Sequence, residues 1–205
     1  MFLTSSAIIE DIEEMKKLGS VSLAFFFFDF RDEEKQTRRS LLLSLLIQLC
    51  LQSDICYDIL FKFYSKHQHG SQHSSDDELT GCLREMLEFE GCDPIYIIID
   101  ALDECPHTSG MPSPRENVLT LVRELVDLHR PALHICVLSR PEPDIRDTLY
   151  HFARHSLSLH LENGQREAII DYIRHVVNSD PKIEKWRPQD KKLVFDTLSE
   201  RADGM

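Results

Sequence analysis

Ile95 to Cys105 reads Ile-Tyr-Ile-Ile-Ile-Asp-Ala-Leu-Asp-Glu-Cys, and it constrains the fold more than any other stretch of the chain. The apolar run Ile95–Ile99 predicts a short strand buried on both faces, which belongs in a parallel sheet covered by helices. The run ends on Asp100, and a small residue, an apolar residue and the acidic pair Asp103 and Glu104 follow. A strand therefore delivers three carboxylates to its mouth. That is the form of a Walker B motif, in which the first carboxylate holds Mg²⁺, usually through water, and a later one orients or deprotonates the attacking water. The same letters also describe a core strand followed by an acidic helix cap.

The rest of the chain supplies the other parts of such a sheet. Val21 to Phe30 is a second apolar, aromatic run of strand length, and Leu133 to Leu138 a third. His155 to Leu161 alternates polar and apolar residues, the period of a half-buried edge strand. Helical periodicity fills the gaps between them. It predicts helices over Ser5–Leu18, capped by Thr4 or Ser5 and stopped by Gly19, and over Thr37–Leu51, Ile55–Tyr64 and Leu79–Phe89. Three more are expected around Val118–Val126, from Gln165 to about Asp180, and from Pro188 to Arg201. Pro106 to Pro114 is a loop, and the two prolines of Ser139-Arg-Pro-Glu-Pro close the third strand. Strands alternating with helices, with no internal repeat, predict one α/β domain whose ligands sit beyond the carboxyl ends of the strands. A chain of 205 residues is long enough for one such core and short for two.

Charge and cysteine usage narrow the function. Thirty-five acidic residues against 23 Lys and Arg give a net charge of −12, which repels nucleic acid and anionic lipid. The stretch Leu41 to Leu51 is about half the ~20 residues a membrane span needs and is interrupted by Ser44 and Gln48, so it reads as a buried helix. The acidic residues Glu10, Asp11, Glu13 and Glu14 follow a start without a basic region, which argues against a secretory signal and for a cytoplasmic protein. Six scattered cysteines with no CxxC pair are expected to be free thiols. His67, His69 and His73 with Cys82, and Cys105 with His107, have the residue types of a zinc site. The first group, however, falls in a Gly/Ser/Gln/His stretch with the composition of a solvated loop.

Within a parallel sheet, Asp100, Asp103, Glu104 and Arg140 all stand at carboxyl ends of strands, so they can share one crevice. Arg140 there is placed either to sense a γ-phosphate or to form a salt bridge with the acidic pair or with Glu142. Phe25 to Arg31 (Phe-Phe-Phe-Phe-Asp-Phe-Arg), Thr37 to Leu49, Ile97 to Pro106, Ser139 to Ile145 and Ser199 to Met205 together resemble the NACHT domain, the nephrocystin 3-like N-terminal domain of fungal STAND-class signalling NTPases. The resemblance implies a P-loop NTPase-like three-layer α/β sandwich with a mostly parallel sheet. It implies Mg²⁺ with ATP or GTP as cofactor, and repeat domains in full-length relatives. By the same resemblance Asp100 is the Mg²⁺ carboxylate, Asp103 and Glu104 are the water-activating pair, and Arg140 is the γ-phosphate sensor. Other NACHT-domain proteins are the partners it suggests.

The sequence departs from that family in the phosphate-binding loop, at Ala202–Met205, where by resemblance the helical lid should continue, and at Leu138, where the family more often has Thr. None of the seven glycines is followed by Lys, so no GxxxxGK[ST] phosphate-binding loop occurs in it. By resemblance Met1 falls inside the helix that should follow this loop, which predicts an incomplete sandwich lacking the P-loop strand. Loss of the Lys and several backbone donors removes about three charge-assisted hydrogen bonds of ~2 kcal/mol each, about four decades of affinity. Nucleotide binding and hydrolysis by these 205 residues alone are therefore expected to be weak or absent. The other expectations are a protein-interaction or decoy module for full-length NACHT proteins, or a truncated product without function of its own.

Overall fold

The computed structural model describes residues 2–19, 21–67, 73–89, 93–108, 112–157, 163–179, 183 and 185–201. The chain divides into two compact units, residues 1–153 and 154–205. In the first, three strands form a parallel sheet in the order β1 (Ser22–Phe27), β2 (Ile95–Asp100), β3 (Leu133–Val137). Register pairs Ser22 with Ile95 and Phe27 with Asp100, and Ile95 with Leu133. The carboxyl ends of all three strands thus lie at one edge of the sheet.

Among the described residues this unit has six α-helices: α1 (Phe2–Lys17), α2 (Arg38–Cys50), α3 (Asp54–Lys66), α4 (Asp76–Glu88), α5 (Pro114–Val126) and α6 (Pro143–Tyr150). Side-chain alternation along the strands divides the core into two layers. Ile97, Ile99, Ala24, Phe26 and Phe28 pack with α2, α4 and α5 on one face. Ile98, Leu23 and Val21 meet Ile9 and Ile12 of α1 on the other. The phenylalanine run serves both faces, since Phe26 and Phe28 make an edge-to-face pair at 4.9 Å and Phe25 and Phe27 another at 5.5 Å.

Local chemistry fixes the helix ends. Gly19 takes a left-handed φ of 72° just past α1, where its missing Cβ permits the turn. Ser75 with Glu78 and Ser113 with Glu116 form capping boxes at α4 and α5, and Pro114 occupies the first turn of α5. Thr37 caps α2 by accepting from the Ser40 N–H.

The outer edge of β1 is sealed by Gln48 of α2 and by Gln52 in the turn just after it. Gln52 accepts from the Leu23 N–H at 3.0 Å and donates to its carbonyl at 2.7 Å. Gln48 does the same for Phe25 at 3.0 and 2.7 Å. Glutamines four apart, one in the last turn of α2 and one just past its end, match edge residues two apart on a strand, and each amide stands in for a strand neighbour. The interruption at Gln48 in the apolar run Leu41–Leu51 has this purpose.

Several expectations change. Ser5 lies within α1 and its side chain is buried, so it does not cap the helix. Leu133, Ile135 and Val137 are half-buried and His134 is exposed, because β3 ends the sheet among the described residues. Of the strand expected over His155–Leu161, residues 155–157 are irregular and residues 158–161 lie outside the described residues. The two prolines after β3 do more than end it, because Pro143 starts α6, with Ile145 buried.

In the second unit, α7 (Asn163–Ser179) packs on α8 (Pro188–Arg201). Ile173 and Val177 of α7 are buried, and the Arg174 guanidinium, ion-paired with Asp171, lies 5.7 Å from the centre of the Phe195 ring. No helix among the described residues is long and apolar enough to cross a membrane.

Candidate functional site

Asp100 is the last residue of the central strand and is 1 % exposed. A buried carboxylate needs partners for both oxygens. Oδ2 accepts from the Ser5 hydroxyl of α1 at 2.7 Å, and Oδ1 accepts from the Ala101 N–H at 2.8 Å. Ala101 itself takes a left-handed conformation, φ 55°, uncommon for a residue with a Cβ. That turn sends the chain across the end of the sheet. The Leu102 N–H then reaches the Leu138 carbonyl at 3.2 Å, and Leu102–Glu104 closes as one turn of 3-10 helix.

The acidic pair diverges at this point. Asp103 turns to the end of β3, where its Oδ1 accepts from the Arg140 N–H at 3.0 Å and its Oδ2 lies 3.5 Å from Arg140 Nε. The Asp103 side chain is 7 % exposed and that of Arg140 is 74 % exposed, so the carboxylate is fixed while most of the guanidinium faces solvent. Glu104 turns instead to the end of β1, where Oε2 accepts from the Phe30 N–H at 3.2 Å. Beside it Asp29 pairs with Arg31 through two 3.0 Å bonds, and the Arg31 side chain and N–H hold the Asp29 carboxyl well down, at about 2.

Asp100, Asp103, Glu104 and Arg140 therefore all stand at the carboxyl edge of the sheet, Asp100 at the end of β2, Glu104 toward β1, and Asp103 with Arg140 at β3. Of the alternatives for Arg140, its pairing is with Asp103, not Glu142. Among the described residues no three His, Cys, Asp or Glu side chains converge closely enough to hold a metal ion. Mg²⁺ does not require such a cage, since it retains waters and takes one or two carboxylates plus phosphate oxygens. The donor set of Asp100 and the Ser5 hydroxyl, both hard oxygen groups, fits that requirement.

Two residues at the site were not legible from the sequence. Ser5, 95 positions from Asp100, reads as a helix cap. Arg115, in the first turn of α5, is buried. Its Nη2 donates to the Asp103 carbonyl at 2.7 Å and its Nε to the Cys105 carbonyl at 2.9 Å. Nη1 meets both oxygens of Asp144 on α6 at 3.3 Å. Arg115 thus clamps the backbone of the acidic turn from behind.

The histidines and cysteines take other roles. His67 bonds the Phe63 carbonyl at 2.9 Å and Glu78 at 3.1 Å, and these two contacts, the carbonyl first, raise its pKa above 6.5. His69 lies outside the described residues. His107 Nδ1 is 3.6 Å from Asp144 Oδ2. Cys50, Cys82, Cys105 and Cys136 are free thiols, and Cys92 lies outside the described residues. Burial pushes the Cys82 thiol up to about 11 and that of Cys105 up to about 12.

Fold and site together define an α/β domain with an acidic, arginine-flanked turn at the carboxyl edge of a parallel sheet. The profile of the family described as Nephrocystin 3, N-terminal, matches residues 2–140, a span that takes in Ser5, the acidic turn and Arg140. The chain belongs to the nephrocystin 3 N-terminal family. No curated protein and no solved structure matches it significantly.

Proposed function

We propose that the domain provides the acidic half of the nucleotide site of a NACHT-type, P-loop-like signalling NTPase. The observation that carries this reading is Asp100, buried at the end of the central strand with the Ser5 hydroxyl at 2.7 Å. In it, Asp100 and Ser5 hold the Mg²⁺ of a bound ATP or GTP. Asp103 and Glu104 orient the attacking water, and the exposed guanidinium of Arg140 reaches the γ-phosphate. The bound Mg²⁺ supplies charge neutralisation of the phosphate oxygens. Asp103 sets the direction of Arg140 by fixing its backbone and Nε. Without a glycine-rich Lys loop the 205 residues alone bind nucleotide weakly and turn it over negligibly. The setting this reading implies is cytoplasmic signalling.

Calorimetry of the chain with MgATP and MgGTP tests the weak-binding part, and micromolar affinity would contradict it. Mn²⁺, added with nucleotide, tests the metal position: it should broaden the NMR signals of Ser5, Asp100 and Ala101 in the wild type and spare them in Asp100→Asn. Equal broadening in both would refute Asp100 as the metal carboxylate.

A second reading, a partner module for other NACHT-domain proteins, is favoured by the far edge of β3. Gln48 and Gln52 close β1, but no described strand pairs with the outward N–H and C=O groups of Ile135 and Val137. An unpaired edge is a template for a strand from another chain. Co-purification with a full-length NACHT protein, abolished by Ile135→Pro, is the expected result.

A further inference from the structure

Arg31 follows β1 as Arg140 follows β3, one on each side of the strand that ends in Asp100, and the same device holds both arginines. The Asp29 carboxylate accepts from the Arg31 N–H at 2.9 Å and takes Nε and Nη2 in a fork of two 3.0 Å bonds. Asp103 accepts from the Arg140 N–H at 3.0 Å and meets its Nε at 3.5 Å. One aspartate thus fixes the backbone and the Nε edge of each arginine, while the two side chains stay 71 % and 74 % exposed. The fork leaves Nη1 of Arg31 and one N–H of Nη2 without a partner among the described residues. The exposed Phe30 ring supports the guanidinium from one side, its centre 5.7 Å from Cζ.

The loop that carries Arg31 is fastened to the acidic turn. The Phe28 N–H donates to the Asp100 carbonyl at 3.1 Å, and the Phe30 N–H donates to Glu104 Oε2 at 3.2 Å. The Cys105 thiol donates to the Gln36 carbonyl at 3.2 Å, and Gln36 Nε2 donates to the Asp29 carbonyl at 3.1 Å. Arg31 is therefore placed by the residues that place Glu104. An exposed pair between residues two apart in the chain joins no two elements and adds little to stability. What such a fork does is aim the free end of a planar, permanently charged group.

We propose that Arg31 is a second phosphate-binding residue of the site, meeting the terminal phosphate of a nucleoside triphosphate from the β1 side while Arg140 meets it from the β3 side. This inference rests on the nucleotide reading of Asp100 and Ser5. In triphosphate sites the metal bridges β- and γ-oxygens, which puts the γ-phosphate beside the metal carboxylate. Neighbouring strands lie about 5 Å apart, so the ends of β1 and β3 flank Asp100 at a span that two extended arginines close. A guanidinium serves a carboxylate with its Nε–Nη2 edge and a phosphate with its Nη1–Nη2 end, so Arg31 binds without leaving Asp29. Asp29 is then a positioning residue. A diphosphate lacks the group that both arginines meet, so Arg31 reads the third phosphate.

Paramagnetic NMR on the full chain tests the proposal. Trace Mn²⁺ with excess ATP or ADP broadens the Ala101 amide in proportion to occupancy, which makes weak binding measurable far below saturation. Arg31→Ala should lower the ATP-induced broadening about tenfold, the loss of one charge-assisted contact, and keep the ADP-induced broadening within about twofold of the wild type. Arg31→Lys keeps the charge without the fork and should recover only part of the loss. Asp29→Ala should also weaken ATP, and should change nothing further when added to Arg31→Ala. An equal loss for ATP and ADP, or no loss for either, overturns the role of Arg31 and leaves the metal reading standing. Wild-type broadening that persists in Asp100→Asn, or no broadening at about 10 mM nucleotide, overturns the nucleotide reading and the role of Arg31 with it.

Discussion

Arg115→Ala removes the clamp behind the acidic turn, and its cost can be worked from the contacts. The guanidinium makes bonds of 2.7 and 2.9 Å to the Asp103 and Cys105 carbonyls and pairs with Asp144 at 3.3 Å. The Arg115 side chain is 10 % exposed and that of Asp144 28 %. A net hydrogen bond from a charged donor is worth about 1.5–3 kcal/mol, so the two carbonyls account for roughly 3–6 kcal/mol. The ion pair adds no more than about 1 kcal/mol, because Asp144 keeps access to water. A loss of roughly 4 kcal/mol is expected, a large share of the ~5–15 kcal/mol that holds a domain together. Asp144→Ala should cost only about 1–2 kcal/mol, and Arg115→Lys, a point donor that cannot reach both carbonyls at once, should recover at most half. Urea denaturation followed by far-UV circular dichroism measures all three, with Trp186 avoided as a probe because it belongs to the other unit. Hydrogen exchange of the Asp103–Cys105 amides should quicken in Arg115→Ala more than in Asp144→Ala. If Arg115→Ala costs no more than Asp144→Ala, the backbone clamp is refuted and Arg115 is merely one half of an ion pair.

Gln48→Leu and Gln52→Leu each strand one N–H and one C=O at the β1 edge, so each should lower stability by about 1–3 kcal/mol. The variant carrying both should scatter light at concentrations where the wild type does not, because an opened edge invites pairing between chains. The His67–Glu78 contact predicts a pH window. Glu78, held down from 4.5 to about 2 by the Ser75 N–H, then by His67 and the Ser75 hydroxyl, contributes stability above pH 4.5 that is lost as pH falls toward 2. His67, raised above 6.5, contributes stability below that pH that is lost as pH rises through its folded value. Thermal melts should therefore peak between about pH 4.5 and 6.5, and the same scan of His67→Ala should be flatter on the alkaline side. Cys82 and Cys105, with thiols near 11 and 12, should resist alkylation at pH 8 in the native state and react once the chain is unfolded in urea.

Most of the first unit's architecture could be read because its signals are local. Ile95–Ile99 and the phenylalanine run are apolar over strand length, and the caps at Thr37 and Gly19 are chemical. Misreadings arose where the deciding partner is distant. Leu133–Leu138 is as apolar as a central strand, but its burial depends on what lies beside it. Gln48 looks like an interruption of an apolar helix until β1 supplies its partner. Pro143 reads as a break from inside β3 and as a helix start from inside α6, and only the buried Ile145 decides for the second.

The same distinction governs the site. Asp100, Asp103, Glu104 and Arg140 could be placed at strand ends from the sequence, because strand direction and parallel pairing bring carboxyl ends together without further information. What each group does there depends on contacts that alternation and periodicity do not encode. Ser5 reaches Asp100 because α1 crosses that face of the sheet, and the acidic pair separates because the left-handed turn at Ala101 points Asp103 to β3 and Glu104 to β1. A valine at position 101 would therefore test the site through its backbone. Its branched Cβ opposes φ 55° at a cost of about 1–3 kcal/mol. If the turn relaxes, the Arg140 N–H should lose its bond to Asp103 and exchange faster. An Ala101→Val variant of unchanged stability, with Arg140 still protected, would show that the turn does not need its left-handed residue to aim the two carboxylates.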